Sequence, residues 1–306
     1  MLNLSALTTE SRNTSTNELD SMSAFEIVSV MNQEDRNVPE AIGKVLPQIA
    51  RAAELAAQAV MNGGRLIYVG AGTSGRLGTL DAVECVPTFG TREDQVIAII
   101  AGGSNAFTHA VEGAEDDEAS GVQDMKNIPL QKKDFVVGIA ASGRTPYVCA
   151  ALKYAGSIGC HTAAVICNSG SEMGKLAEIS IEAVVGPEIL TGSTRLKAGT
   201  AQKMILNMIS TTAMVLCGKV YKNYMVDVVQ TNEKLQIRAR NIVMQATGVS
   251  EESAEKALQL TGGKTKTAVT MILANVSPEK ADELLRENMG HVRKAISGLE
   301  VCRFEN

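Results

Sequence analysis

The chain has 306 residues, of which 45% are hydrophobic and 21% charged, and its net charge is −5. That length accommodates one large domain and one small one, and the balance of apolar to charged residues excludes disorder as the dominant state. Aromatic residues make up only 3%, with no tryptophan; this excludes a base-stacking platform, and the negative charge excludes nucleic acid as a partner, because binding it needs a positive stripe.

Residues 1–37 are polar and rich in Ser, Thr and Asn, and read as an N-terminal arm that packs on something else, such as a partner subunit. The opening MLNLSALTTESRN has neither a basic region nor an apolar core. No apolar run approaches the ~20 residues that span a bilayer, so a cytoplasmic protein without a membrane partner is expected. From Pro39 to Met61 apolar residues recur at helical spacing (Ile49, Ala52, Ala53, Ala56, Val60), with a kink expected at Pro47 and a stop at Asn62-Gly63-Gly64. Five short apolar, β-branched runs follow: Leu66–Val69, Val96–Ile100, Phe135–Ile139, Ala163–Cys167 and Ile179–Val185. Runs that are apolar throughout suit strands buried on both faces of a parallel sheet. Helix-compatible segments lie between them, so the fold class is α/β, a doubly wound three-layer αβα sandwich.

The stretch Arg195–Tyr221 is rich in Ala, Met and Leu and reads as a core helix. Its apolar residues from Ala201 to Val215 exceed what one chain need bury, which predicts a homodimer. After Gln245 three helical segments carry start signals at Ser250, Thr265 and Ser277-Pro278. The expected organisation is therefore an arm (1–37), a catalytic α/β domain (38–244) and a helical C-terminal domain (245–306). Six cysteines show no CxxC pair and three histidines no metal-ligand spacing. The thiols read as reduced packing residues, and neither metal nor cofactor is expected.

Two loops share a tripeptide. Gly70-Ala-Gly72-Thr73-Ser74-Gly75-Arg76 and Ala140-Ala-Ser142-Gly143-Arg144-Thr145-Pro146 each end a strand and open a helix. The first nominally matches a dinucleotide fingerprint, but Thr73 and Ser74 place two hydroxyls where a monophosphate accepts from them and from free helix N–H groups. Ser142, Gly143 and Thr145 repeat that chemistry, and Ser193, Thr194 and Lys197 form a third cluster able to close over a substrate. As N-caps these residues would only terminate helices; two loops in one orientation point instead to a bound anion. Glu84 is a lone carboxylate inside the apolar run Ala82–Pro87, read as buried with its acidity lowered, while Glu115 lies in the acidic run Glu112–Glu118. The two form a candidate acid–base pair. A straight helix from Ser74 to Glu84 would separate them by ~15 Å, unless Gly78 or the approach to Pro87 shortens it or the phosphate sits mainly at Ser142 and Thr145.

AGTSGRLGTLDAVECVPTFG, AGGSNAF with AVEGAEDD, AASGRTPYV, ILTGSTRLKAGTAQKMILNM and LTTESRN together resemble the N-acetylmuramic acid 6-phosphate etherases, over almost the whole chain. That family belongs to the sugar-isomerase (SIS) superfamily and is related to the glucokinase regulatory protein. The resemblance implies a five-stranded parallel sheet, a homodimer, a C-terminal domain similar to ubiquitin-associated folds, and a small sugar phosphate as ligand. It also implies that Glu84 and Glu115 cleave the lactyl ether by elimination and hydration. A base takes the C2 proton of the ring-opened aldehyde, lactate leaves C3 with a proton from an acid, and water then adds. Glu84 is assigned as the acid and Glu115 as the base, although the residues alone permit the reverse. An aldose–ketose isomerase and a non-enzymatic sugar-phosphate sensor are the alternatives; a nicotinamide dehydrogenase is the weakest.

Overall fold

The computed structural model describes residues 8–230 and 232–297. They form two compact units. One contains the residues up to Val83 together with Asp94–Thr212, the other Glu84–Glu93 together with the residues from Ala213 onward.

In chain order the first unit contains α1 (Ala24–Asp35), α2 (Asn37–Gly43), α3 (Leu46–Met61), β1 (Leu66–Gly70), α4 (Gly72–Phe89), β2 (Val96–Ile100), α5 (Glu118–Asn127), β3 (Phe135–Ile139), α6 (Pro146–Ile158), β4 (His161–Ile166), α7 (Glu172–Leu176), β5 (Ile179–Glu182) and α8 (Lys197–Leu216). The division between the units falls within α4 and within α8. The five strands make one sheet in the order β2-β1-β3-β4-β5, and every neighbouring pair is parallel. All residues of β1 and β3 are buried, which explains why these runs lack a polar face. Alternation then splits each strand between layers. Ile67, Val69 and Val136 join Val148, Ala151 and Leu152 of α6 in one core. Tyr68 points the other way and donates to Asp81 of α4 (2.8 Å), which also accepts from Asn207 and Ser210 of α8. Asp134, 1% exposed, accepts from the backbone N–H and guanidinium of Arg65 and thereby ties the entry of β1 to that of β3.

Two local expectations change. Pro47 kinks nothing: α2 ends at Gly43, and Pro47 sits in the first turn of α3, where no N–H is required of it. Gly78 does not shorten α4, which runs unbroken; a Cβ there would stand 3.0 Å from Tyr68, so the glycine serves close packing on β1. Two threonines of the arm bond within its own unit. Asn168 donates to the Thr9 hydroxyl, and Thr16 donates to the carbonyl of Ile189.

The Ala/Met-rich stretch is core, as Ala201, Ile205, Leu206 and Ile209 are fully buried within the chain.

The second unit opens with a two-stranded antiparallel hairpin, β6 (Val220–Tyr221) and β7 (Tyr224–Met225), turning through Lys222 at φ 53°. The hairpin was not foreseen. Helices α9 (Glu233–Thr247), α10 (Glu251–Leu260), α11 (Thr265–Ala274), α12 (Pro278–Glu287) and α13 (Val292–Ile296) follow. Asn232, Ser250 and Ser277 cap three of them through their side chains. Val243, Ala254, Val269 and Leu285 share one core; with Ala239 and Ile242 of α9 already inside it, this helical unit starts upstream of the expected boundary at 245.

Candidate active site

The strand order places a topological switch between β1 and β3: the chain leaves β1 toward β2 on one side and β3 toward β4 on the other. Ligands of doubly wound sheets bind outside the carboxyl ends of such strands. The two Ser-Gly-Arg loops are the segments that follow β1 and β3, so the fold sets them side by side at this point.

The loops differ in detail. After β1 the helix begins at once, at Gly72 (φ 51°), so Thr73 and Ser74 lie in its first turn with N–H groups lacking intrahelical acceptors. Gly75 packs against Gly70 and Ile100 so closely that a Cβ would meet the Gly70 carbonyl oxygen at 2.8 Å. Ser74 is buried and donates from Oγ to Gln202 Oε1 at 2.8 Å. After β3 the chain first turns. Gly143 adopts φ 68°, its would-be Cβ falling 2.4 Å from Ser171 Oγ, and α6 starts at Pro146. Ser142 is half-buried and accepts from the Arg144 N–H; Thr145 occupies the N-cap position without capping.

Beside the first loop lies a cavity of about 310 Å³, lined among others by Gly72, Arg76, His109, Glu112 and Glu115. Glu115 comes from a 3-10 turn, Ala114–Asp116. Arg76 reaches across the cavity wall: Nε donates to the carbonyl of Phe107 (2.9 Å) and Nη2 to that of His109 (3.1 Å). The guanidinium thus fastens the stretch leading to Glu115 onto the first turns of α4. His109 was not singled out from the sequence, and Arg76 only as a member of the shared tripeptide. The tripeptide repeat pointed at Arg76, but its acceptors lie 31 and 33 residues away, outside any local pattern.

Glu84 departs from expectation. It is exposed on α4, as is Val83, while Ala82 and Cys85 are buried. An apolar run on a helix covers every direction, and at 100° per residue Glu84 falls on the outer side with Leu80 and Val83. It belongs to the second unit, Glu115 to the first. Ser193 and Thr194 are half-buried ahead of α8, with the Thr194 carbonyl accepting from Gly199. Lys197 is 1% exposed and its ammonium pairs with Glu34 of α1 at 2.5 Å, so its charge is already engaged within the chain. The start of α8 is held by a residue not foreseen, Glu188. This carboxylate is 1% exposed and accepts from the N–H groups of Lys197 (3.0 Å) and Ala198 (2.9 Å). Burial raises its pKa above the usual carboxylate range, although those two bonds favour the ionised form.

Burial also pushes the Cys149 and Cys160 thiols up to about 11 and that of Cys167 to about 12; these are packing residues and poor nucleophiles. Among the described residues no group of three or more His, Cys, Asp or Glu is arranged to hold a metal ion.

Residues 48–156 match the glucokinase regulatory protein N-terminal SIS domain. The chain is 57% identical over 296 residues to the N-acetylmuramic acid 6-phosphate etherase of Serratia proteamaculans, covering 97% of this chain and 100% of that one. It is 56% identical over 297 residues to the enzyme of that name from Pectobacterium atrosepticum, at 97% and 98% coverage. Among solved structures, a phosphoheptose isomerase from Neisseria gonorrhoeae superposes with a TM-score of 0.48 and 17% identity, over 61% of this chain and 96% of that one. On these identities over nearly its whole length, the chain belongs to the N-acetylmuramic acid 6-phosphate etherase family.

Proposed function

We propose that the chain cleaves the D-lactyl ether of N-acetylmuramic acid 6-phosphate by elimination and hydration, giving N-acetylglucosamine 6-phosphate and D-lactate, as a step in recycling cell-wall amino sugars. One observation carries the reading: in a chain of this family, two hydroxyl-bearing loops flank the sheet's switch point beside a cavity that holds a carboxylate. The phosphate sits at those loops, chiefly on Ser74, Ser142 and Thr145, with Thr73, Gly75 and Gly143 shaping the approach of backbone N–H groups. Ser193 and Thr194 close over the sugar; Lys197 acts by anchoring α8 through Glu34.

An ether is a poor leaving group and must be protonated as it departs, and the C2 proton is labile only while the open-chain aldehyde stores the charge. Glu115 takes that proton and Glu84 gives one to the lactate oxygen as the C3–O bond breaks. Water then adds across the unsaturated aldehyde, restoring a hydroxyl at C3. No cofactor takes part.

The reading includes a homodimer in the cytoplasm. Leu80, Val83 and Phe107 are 48%, 61% and 45% exposed, apolar surface that a second copy would cover, and cysteines without a CxxC pair suit a reducing compartment. A monomer at micromolar concentration in sedimentation would contradict the assembly. The activity is tested by incubating the protein with N-acetylmuramic acid 6-phosphate and assaying lactate, which is expected to appear. Isomerised sugar phosphate without lactate would identify an aldose–ketose isomerase instead, and binding without turnover a sensor.

A further inference from the structure

Gln202 is 1% exposed. Its Oε1 accepts from Ser74, yet its Nε2 is buried with no hydrogen-bond partner among the described residues. A buried N–H without an acceptor is rarer in proteins than an under-satisfied carbonyl oxygen, so this amide group calls for an explanation.

The backbone that carries Gln202 is held in place, which leaves rotation of the carboxamide as its freedom. It lies in α8, whose first N–H groups are held by the buried Glu188. One turn earlier, Gly199 brings α8 close against the first loop: a Cβ there would stand 3.6 Å from Thr73 Cγ2 and 4.0 Å from Leu77 Cδ1. Gly199 and Gln202 share a helix face by their spacing of three. The carboxamide is thus set against the first turn of α4, where Ser74 carries the hydroxyl.

The hydrogen bond as it stands has a consequence for binding. A serine hydroxyl has one proton. While Ser74 donates it to Oε1, the oxygen presents only lone pairs to an incoming phosphate. If the carboxamide turns over, Nε2 donates to Ser74 Oγ and gains the partner it lacks. The hydroxyl proton is then released toward a phosphate oxygen.

We propose that Gln202 is a positioning residue for the sugar phosphate: its carboxamide sets the direction of the Ser74 hydroxyl proton, inward while Oε1 faces Ser74 and outward toward phosphate once Nε2 does. The inference rests on the reading of Ser74 as a phosphate ligand. It makes Gln202 and Ser74 one binding unit, whereas among the described residues Ser142 and Thr145 have no carboxamide partner.

The test combines steady-state kinetics with calorimetric binding of inorganic phosphate to the full-length protein. Gln202→Glu keeps the acceptor and the size but has no N–H to offer, so the Ser74 proton stays inward. Gln202→Met removes both polar atoms and keeps the volume. Each variant is expected to raise KM for N-acetylmuramic acid 6-phosphate and the Kd for inorganic phosphate by about tenfold, the worth of one hydrogen bond near a charge. Turnover at saturation should change by less than about threefold. Ser74→Ala should weaken phosphate by a similar factor, and adding Gln202→Met to it should cost no more than about a further twofold, because the two residues act through one bond. Independent, multiplying effects would overturn the proposal, as would an unchanged phosphate Kd in both Gln202 variants. Phosphate binding gives the answer even if wild type releases no lactate; that result would sink the proposed reaction and leave the coupling to be judged by calorimetry alone.

Discussion

The two Ser-Gly-Arg loops carry the same tripeptide after neighbouring strands and use it differently. Behind β1 the helix starts before the serine, so Ser74 is drawn into its first turn and under α8, and Arg76 projects far enough to clasp the stretch before Glu115. Behind β3, Pro146 fixes the helix start two residues after Arg144, and Gly143 makes a left-handed turn first, which leaves Ser142 half-buried ahead of the helix. The difference comes from where each helix is allowed to begin. It ties the first loop to α8 and to the stretch before Glu115, and leaves the Ser142 hydroxyl accepting from the Arg144 N–H.

The sharpest break would come at the carboxylates. Glu115→Gln is expected to lower kcat by roughly 10² to 10⁴, the usual contribution of a positioned base, and to abolish exchange of the C2 proton with solvent deuterium. Glu84→Gln should stop lactate release while some exchange at C2 survives. The reverse pattern would swap the two roles, and near-wild-type behaviour in both would end the two-carboxylate mechanism. Next come the arginines. Arg76→Met, which removes two charge-assisted bonds to carbonyls, should reduce kcat by about tenfold, and Arg144→Met by less than about threefold; equal effects would erase the distinction between the loops. Ser142→Ala should raise KM by about tenfold with kcat nearly unchanged, since a phosphate contact persists from ground state to transition state. An equal fall in kcat at constant KM would show that the second loop does more than anchor.

The smallest effect concerns Glu188, which holds α8 over the first loop alone. Its pKa in the folded chain is raised by burial. Between the ordinary carboxylate range and that raised value the folded chain therefore binds more protons than the unfolded one. The stability Glu188 contributes is full at low pH and declines as pH rises through this window. Compared with Glu188→Gln, the advantage of wild type in Tm should shrink from pH 4 to pH 7; a gap that widens would reverse the assignment.

The sheet was legible because parallel strands buried on both faces must be apolar throughout, and all five runs became strands within a few residues of their expected bounds. Caps at Ser250 and Ser277 were legible for an equally local reason, a hydroxyl reaching an N–H three residues on. The two loops were legible as junctions between a strand and a helix, but the partnerships of their side chains were not. Lys197 looked like a free cation near a substrate and is bound to Glu34, 163 residues away. Glu84 looked buried because its neighbours are apolar, and helical rotation turned it outward. Gln202 and Arg76 act on residues that only the packing of α8 on α4, or of the 104–115 stretch on α4, brings within reach. Spacing along the chain records periodicity and caps; it does not record which distant group satisfies which charge.

The pairing of β1 with β3 carries one more consequence, for the order in which the protein comes apart. These two strands sit inside the sheet, each bonded on both sides, whereas β2 and β5 each have one free edge. Local opening begins where backbone bonds have the least cover, so amides of β5 and β2 are the first in the sheet to exchange with solvent, and those of β1 and β3 the last. Both Ser-Gly-Arg loops grow from the strands that open last. A partly unfolded chain that has shed an edge strand therefore still holds the two loops side by side.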